Sequence, residues 1–310
     1  GWQAALQGPA WDGAWYRRAF FDDGSPLGAS ANAECRIDLI AQAWSVLSGA
    51  APLARQQVAM ASAQQLLADP AHGLLRLLDP PLANAEPSAG YIQAYPRGVR
   101  ENGGQYNHGT LWAAAAWAAL GDGDAAWQAW VAASPAHRAA DPVLGPLYGL
   151  EPYAAAADVY SQPPYAGRGG WSWYTGSAAG LHRTAVGSIL GLQVQGQRVR
   201  CWPSLPSHWP RAEITLQRAG RTHRFTLCAA HAAAEIEQAL AQGARPLQAG
   251  DWLDLAAAGS HSHHLVRCTP GEPRPVDFST EGANHELGPH RRPMEPSQGQ
   301  GPRTVGQVDG

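Results

Sequence analysis

Tyr95–Leu120 reads YPRGVRENGGQYNHGTLWAAAAWAAL, and its two halves follow different rules. The first half gathers Arg97, Arg100, Glu101 and His108 around the pair Gly103 and Gly104, in contrast to the Ala, Leu and Gln of the helical stretches beside it. The second half, from Leu111 on, is an apolar run without Gly or Pro, which reads as a buried helix. A helix that starts near Asn107 would aim unpaired amides and a positive dipole end at whatever occupies the loop, and Gly-Gly would let backbone N–H groups come close to it. An anion or a sugar oxygen suits that arrangement. The same order recurs at Gly167–Gly176, GRGGWSWYTG, where Gly169-Gly170 precedes Trp171, Trp173 and Tyr174, and Thr175-Gly176 opens a helical run through His182 to Leu190. Either stretch alone is equally well read as a glycine turn capping a core helix. Two of them in a largely Ala, Leu and Gln background point to one shared site.

Outward from these stretches the pattern is helix, short turn, helix. CRIDLIAQAWSVLSGA, residues 35–50, carries apolar residues at helical spacing and stops at Gly49; Pro52 then opens a second helix that runs to about Asp69. The pattern returns at Thr110–Leu120, the break GDGD, Ala125–Ala133, Tyr148–Tyr160 and Trp173–Leu190. Long Pro/Gly loops at 78–98, 134–145 and 162–170 join the hairpins, and such loops are where sites sit. Trp11–Gly28 is aromatic and turn-rich, a loop or short strand pair. The helical part reads as a section of an α/α barrel. Near Leu190 the period changes to alternation, in LQVQGQRVRCW, AEITLQRAGRTHRFTLCAA and HHLVRCT. The expected organisation is thus mainly α: residues 1–190 as the barrel section, 191–270 as a small antiparallel β domain, and 271–310 as a Pro/Gly-rich disordered tail.

The bulk numbers narrow the function. A 310-residue chain of 32.8 kDa has ample core to bury, and a charge of -3 with pI near 6.5 gives no reason to expect nucleic acid or an anionic membrane as partner. Cys35, Cys201, Cys228 and Cys268 stand far apart without ligand spacing, so reduced buried thiols are expected, with neither zinc nor disulfides. His261, His263 and His264 lack acidic or Cys company and read as solvated strand or loop residues, so no metal and no cofactor is expected. The longest apolar run, Leu111–Leu120, is half the roughly 20 residues of a membrane span, and a cytoplasmic location is expected. The chain opens at Gly1 without Met and in mid-pattern, from which a fragment with an upstream half is expected. Thirteen Trp is high for this length. Trp112, Trp117, Trp127 and Trp130 lie on apolar helical stretches and read as core, whereas Trp171 and Trp173 beside the glycines are candidates to stack on sugar rings. The residues alone would make Glu101 and Glu151 an acid/base pair of an α/α-barrel hydrolase that uses water.

The succession FDDGSPLG, ECRIDLIAQAWSVLSGAA, GYIQAYPRGVRENGGQYNHGTLWAAAAWAALGDGDAAW, EPYAAAADVY and GRGGWSWYTGSAAGLHR resembles the C-terminal half of the catalytic region of glycoside hydrolase family 94. That family holds cellobiose and chitobiose phosphorylases, β-1,2-oligoglucan phosphorylases and the phosphorylase-like domain of cyclic β-1,2-glucan synthase, and WYTGSA is most similar to the β-1,2-glucan branch. The resemblance covers about Trp11–Trp209 and implies a partial (α/α)6 barrel followed by a β-sandwich-like domain.

The reaction so implied is inverting phosphorolysis, in which inorganic phosphate, a co-substrate and not a cofactor, attacks the anomeric carbon of a β-glucoside and releases α-glucose 1-phosphate. By resemblance His108, Thr175 and Gly176 hold phosphate, and Tyr95, Arg100 and Glu101 contact the sugar, with Trp171 and Trp173 as further sugar contacts. A hydroxyl, a backbone N–H and an imidazole are chemically apt phosphate donors. Glu151 then becomes a supporting residue. The family's general-acid Asp stands in an upstream GDWND-like motif that these 310 residues do not contain, and Asp22 and Asp23 follow that region in family order and do not replace it. The expected partners are a β-glucan or β-glucoside oligosaccharide, phosphate and the missing N-terminal half, with a homodimer as the candidate assembly. If the parent is a glucan synthase, this part is the cytoplasmic portion of a larger inner-membrane protein. A non-catalytic glucan-binding remnant is the alternative from another class.

Overall fold

The computed structural model describes residues 1–218, 220–256 and 261–274. Asp38 caps the first long helix, α1 (Leu39–Leu47), by accepting from the N–H groups of Ile40 and Ala41, and Pro52 precedes α2 (Leu53–Leu67), as the breakers foretold. α3 (Asn107–Ala119) and α4 (Gly123–Ala133) follow, the latter capped by Asp122. α3 is the centre of the helical layer: it packs on α1, on α4 and on α5 (Thr175–Arg183), which runs on into a wider π-type turn at Thr184–Ile189. Its Ala113, Ala114, Ala116 and Ala118 are fully buried, so neighbouring helices approach closely. Trp117 is buried in this core, and Trp112, Trp127 and Trp130 pack against it, in line with the core reading of these four. Ala19–Phe20 and Pro26–Leu27 form the short N-terminal strand pair, and a turn of helix at Trp2–Gln7, which no pattern announced, precedes it.

Tyr148–Tyr160 departs from expectation. It is not a helix: a short turn of helix ends at Tyr148, a turn follows at Pro152–Tyr153, and the buried residues Ala154–Ala157 lead irregularly into a short strand at Asp158–Val159. Alanine's helical preference is overridden because neighbouring main chains take up the hydrogen bonds of this segment. Asn107 N–H donates to Ala157 O (2.9 Å), Ala157 N–H to Trp171 O (2.7 Å) and Tyr174 N–H to Ala155 O (2.9 Å).

The β part begins at Leu192. β1 (Leu192–Gln195), β2 (Arg198–Cys201), β3 (Arg211–Arg218) and β4 (Arg221–Ala229) are hairpins as the alternation predicted. Helix α6 (Ala233–Ala241) then crosses over to β5 (Arg245–Leu247), followed by β6 (Leu253–Asp254) and β7 (His261–Cys268). β7 pairs parallel with both β4 and β5, so the sheet β3-β4-β7-β5 is mixed and not antiparallel throughout. The crossover helix makes parallel pairing possible. His264, expected to be solvated, is 6% exposed: it stacks on Phe225 and shares the Ser262 hydroxyl with buried His223. All four cysteines are buried and free.

The two parts belong to one compact unit, Gly1–Val276. Trp127 and Trp209 meet at 4.7 Å, and Asp124 accepts from Ser207 N–H. Gly271–Arg274, the first residues of the expected tail, return to the helical layer: Arg274 N–H donates to Ala119 O, and its guanidinium donates to Ser188 O. The remainder of the expected tail lies outside the described residues. Among the described residues no helix is long and apolar enough to cross a membrane.

Candidate functional site

The non-helical segment at Ala154–Val159 brings the two glycine-rich stretches together. Gln105–Tyr106 pairs antiparallel with Asp158–Val159, and Val159 bridges to Gly169 on the other stretch. The glycines serve this packing more than ligand approach. Gly103 and Gly104 are buried with carbonyls engaged by Ser161 Oγ and Leu77 N–H, and a Cβ on Gly103 would press on Pro81 at 2.7 Å. A side chain on Gly170 would collide with Asp158. Free approach of a ligand to these backbones is therefore corrected to close approach of chain to chain.

Buried Asn102 ties the first stretch down. Its side-chain amide donates to Tyr95 O (2.8 Å) and Leu82 O (2.9 Å) and accepts from Leu82 N–H (2.7 Å). Arg100 adopts a left-handed backbone, φ 50°, with its N–H donated to Asp158 Oδ2 (2.7 Å). Its guanidinium lies over the rings of Tyr95 (5.5 Å) and Tyr106 (5.8 Å), and its Nε stands 3.6 Å from Glu101 Oε2. Burial alone would weaken its hold on the proton, but the Tyr95, Glu101, Tyr106 and Asp158 charges outweigh it and keep Arg100 cationic. Arg100 Nε and Glu101 Oε2 are both buried and neither makes a hydrogen bond. The two atoms face each other as an ion pair, with 22% and 17% of the two side chains left exposed.

Tyr106 connects the stretches. Its hydroxyl meets that of Tyr174 at 3.0 Å, and burial, with that contact and the Glu101 charge, pushes its phenol pKa up, so it is a neutral hydroxyl donor. Tyr106, Tyr174 and Trp112 surround the His108 ring at 5.7, 5.6 and 6.1 Å. The imidazole edge abuts Gly176, where an added Cβ would lie 2.6 Å from Nε2. Thr175 begins α5 without a side-chain cap, so the first amides of that helix remain open next to the imidazole. His108 thus meets Gly176, which follows Thr175 in the chain, and a run of contacts joins His108 through Tyr106 to Arg100, Glu101 and Tyr95.

Trp171 and Trp173 are 71% and 67% exposed, and Trp173, at φ 57°, holds its ring edge-on to Tyr153 at 6.0 Å. Glu151 lies near Tyr148, and one of its carboxylate oxygens is buried without a hydrogen-bond partner. Among the described residues no group of His, Cys, Asp and Glu could hold a metal. Two cavities, about 360 Å³ beside Arg138 and about 720 Å³ beside Met60, are lined by Trp117 at the far end of α3 and by none of the nominated site residues. Asp158, Tyr106, Tyr174 and Asn102 were not nominated from the sequence; for Asp158 the only signal was the strand-like AADVY, hidden behind a run of alanines.

The family description "Glycosyl hydrolase 94 superfamily, catalytic domain" matches residues 2–191, the whole helical layer that carries both stretches. The chain belongs to the glycosyl hydrolase 94 superfamily. Among its relatives is the cyclic beta-(1,2)-glucan synthase NdvB of Rhizobium meliloti (strain 1021), 45% identical over 223 residues, which are 72% of this chain and 8% of that protein. Solabiose phosphorylase of Paenibacillus borealis is 30% identical over 72% of this chain and 28% of its own length. N,N'-diacetylchitobiose phosphorylase of Vibrio proteolyticus is 29% identical over 69% of this chain and 27% of its own. The chain spans less than a third of the length of each of these glycosyl hydrolase 94 relatives.

Proposed function

We propose that this chain supplies the phosphate and glucoside contacts of an inverting carbohydrate phosphorylase, one that turns phosphate plus a β-1,2-glucan or related β-glucoside into α-glucose 1-phosphate. The observation that carries the reading is the meeting of His108 with Gly176 at the open start of α5. An imidazole N–H, the Thr175 hydroxyl and the first helix amides are three kinds of donor suited to a phosphate oxyanion, and the approach of His108 to Gly176 supports their joint use. A hydrolase that activates water has no need of them. Tyr95, Arg100 and Glu101 hold the sugar ring at the cleavage point, with the Trp171 and Trp173 faces as outer sugar contacts.

Chemically, a phosphate oxygen forms the new bond to the anomeric carbon from the face opposite the leaving oxygen, and the glycosidic C–O bond breaks with inversion. The leaving oxygen takes a proton from a carboxylic acid outside this chain, and the donors at His108 and α5 keep phosphate in line. The partial (α/α)6 barrel, completion by an upstream half, homodimerisation and a cytoplasmic location, attached to an inner-membrane protein if the parent is a glucan synthase, belong to the same proposal.

The test is release of α-glucose 1-phosphate from β-1,2-glucooligosaccharides and cellobiose by the intact natural protein, with and without phosphate. Sugar phosphate that forms only with phosphate, and a His108→Ala variant that loses phosphate use far more than sugar binding, support the reading. Equal loss of both would sink the assignment of His108.

A further inference from the structure

Asp158 is 1% exposed, and its carboxylate makes no contact with a ligand surface. Its hydrogen bonds run to both of the stretches that build the site. Its Oδ2 accepts from Arg100 N–H at 2.7 Å, and the Trp171 backbone is its other main-chain hydrogen-bonding neighbour. Its own carbonyl accepts from Gly170 N–H at 2.9 Å, and the absence of a side chain at Gly170 leaves the space that the carboxylate fills. Burial pushes the Asp158 carboxyl pKa up, and the Arg100 amide and guanidinium oppose that shift.

A buried charge is costly and is retained where its hydrogen bonds do something that an apolar residue could not. Here the bond to Arg100 N–H holds a non-glycine residue at φ 50°, a sparsely populated conformation that persists only where the surroundings over-determine it. That conformation sets the Arg100 guanidinium between the Tyr95 and Tyr106 rings, next to Glu101. The contacts of Asp158 with Gly170 and Trp171 fix the chain that enters Tyr174, Thr175 and Gly176. One carboxylate thus determines the place of the sugar-side arginine and of the phosphate-side helix start.

We propose that Asp158 is a positioning residue that couples the glucoside and phosphate halves of the site. The proposal rests on the phosphorylase reading only for the identity of the two ligands.

The experiment is the Asp158→Asn variant of the intact natural protein, isosteric but with one acceptor oxygen replaced by an amide donor, together with Gly170→Ala, which displaces the carboxylate from the other side. KM is measured separately for phosphate and for a β-1,2-glucooligosaccharide, with thermal melting alongside. In both variants KM for both substrates rises, each by about tenfold or more, the factor that corresponds to the loss of one charge-assisted hydrogen bond. Variants that melt earlier or turn over more slowly with both KM values unchanged would show a purely structural role and overturn the proposal. A rise in only one KM would overturn the coupling. If the wild-type protein forms no glucose 1-phosphate, the phosphorylase reading fails by itself, and Asp158 is judged by binding of the glucooligosaccharide through Trp fluorescence. About tenfold weaker binding by Asp158→Asn then supports a positioning role, and unchanged binding overturns it.

Discussion

The His108 imidazole lies so close to the start of α5 that a methyl group on Gly176 would sit 2.6 Å from both its Cε1 and its Nε2. Gly176→Ala therefore moves the ring or the helix end without deleting any functional group. We expect the protein to fold and its phosphate-dependent turnover to fall by about a hundredfold, the scale of an ångström-level misplacement at a reacting centre. KM for phosphate should rise more than KM for the glucoside. Turnover within a factor of two of wild type would show that the contact has no bearing on the reaction.

Asn102 makes three side-chain hydrogen bonds to the backbones of Leu82 and Tyr95, the two to Leu82 buried and the one to Tyr95 partly so. Its replacement by Ala leaves those groups unsatisfied and should cost about 2–4 kcal/mol in chemical denaturation. Asn102→Asp keeps the acceptor for Leu82 N–H but loses both donations, and should be no better tolerated. A loss below about 0.5 kcal/mol for Asn102→Ala would contradict the role of this residue as the anchor of the loop.

Trp173 combines an exposed ring with a left-handed backbone, φ 57°. Gly at this position relieves the strained backbone and removes the ring. Trp173→Gly should leave stability unchanged or raised by up to about 1 kcal/mol, and should weaken binding of β-1,2-glucooligosaccharides about tenfold by calorimetric titration. Unaltered glucan affinity would remove Trp173 from the sugar contacts.

Buried His264 has its pKa pushed from the ordinary 6.5 down to about 4, by desolvation first and then by the neighbouring His223, His263 and Arg245 charges. Its native form is neutral, whereas the unfolded chain takes up the proton near 6.5. The stability that neutral His264 provides is therefore full above pH 6.5 and is lost as pH falls toward 4, by up to about 3 kcal/mol for this group. Denaturation at pH 7 and pH 5 should show wild type losing more stability between the two than His264→Gln. Equal losses would refute the assignment.

Helices α1 to α4 were legible because their boundaries are written in local chemistry: Asp38 and Asp122 cap α1 and α4, Pro52 opens α2, and Gly49 and Gly121 follow helix ends. His108, Thr175 and Gly176 were legible as a group only through the resemblance, since His108 stands 67 and 68 positions from the other two. The Ala154–Val159 segment was not, because its non-helical form depends on hydrogen bonds to Asn107, Trp171 and Tyr174 that no local pattern encodes. Asp158 was hidden with it. The parallel pairing of β7 was missed for a related reason: a crossover connection is a matter of topology, and alternation within a strand does not reveal the direction of its neighbour. His264 was misjudged because its strand lies between β4 and β5, so one of its faces is interior.

The strip that joins the two loops is alanine at positions 154 to 157, each no more than 6% exposed. Alanine scanning, the usual way to map a binding surface, would skip these positions and return a map with a blank where the halves of the site are stitched together. Enlargement is the informative perturbation here. Valine at 156 or 157 would wedge the stretches apart, and the smallest natural side chain that breaks the site marks how tightly its two loops are drawn together.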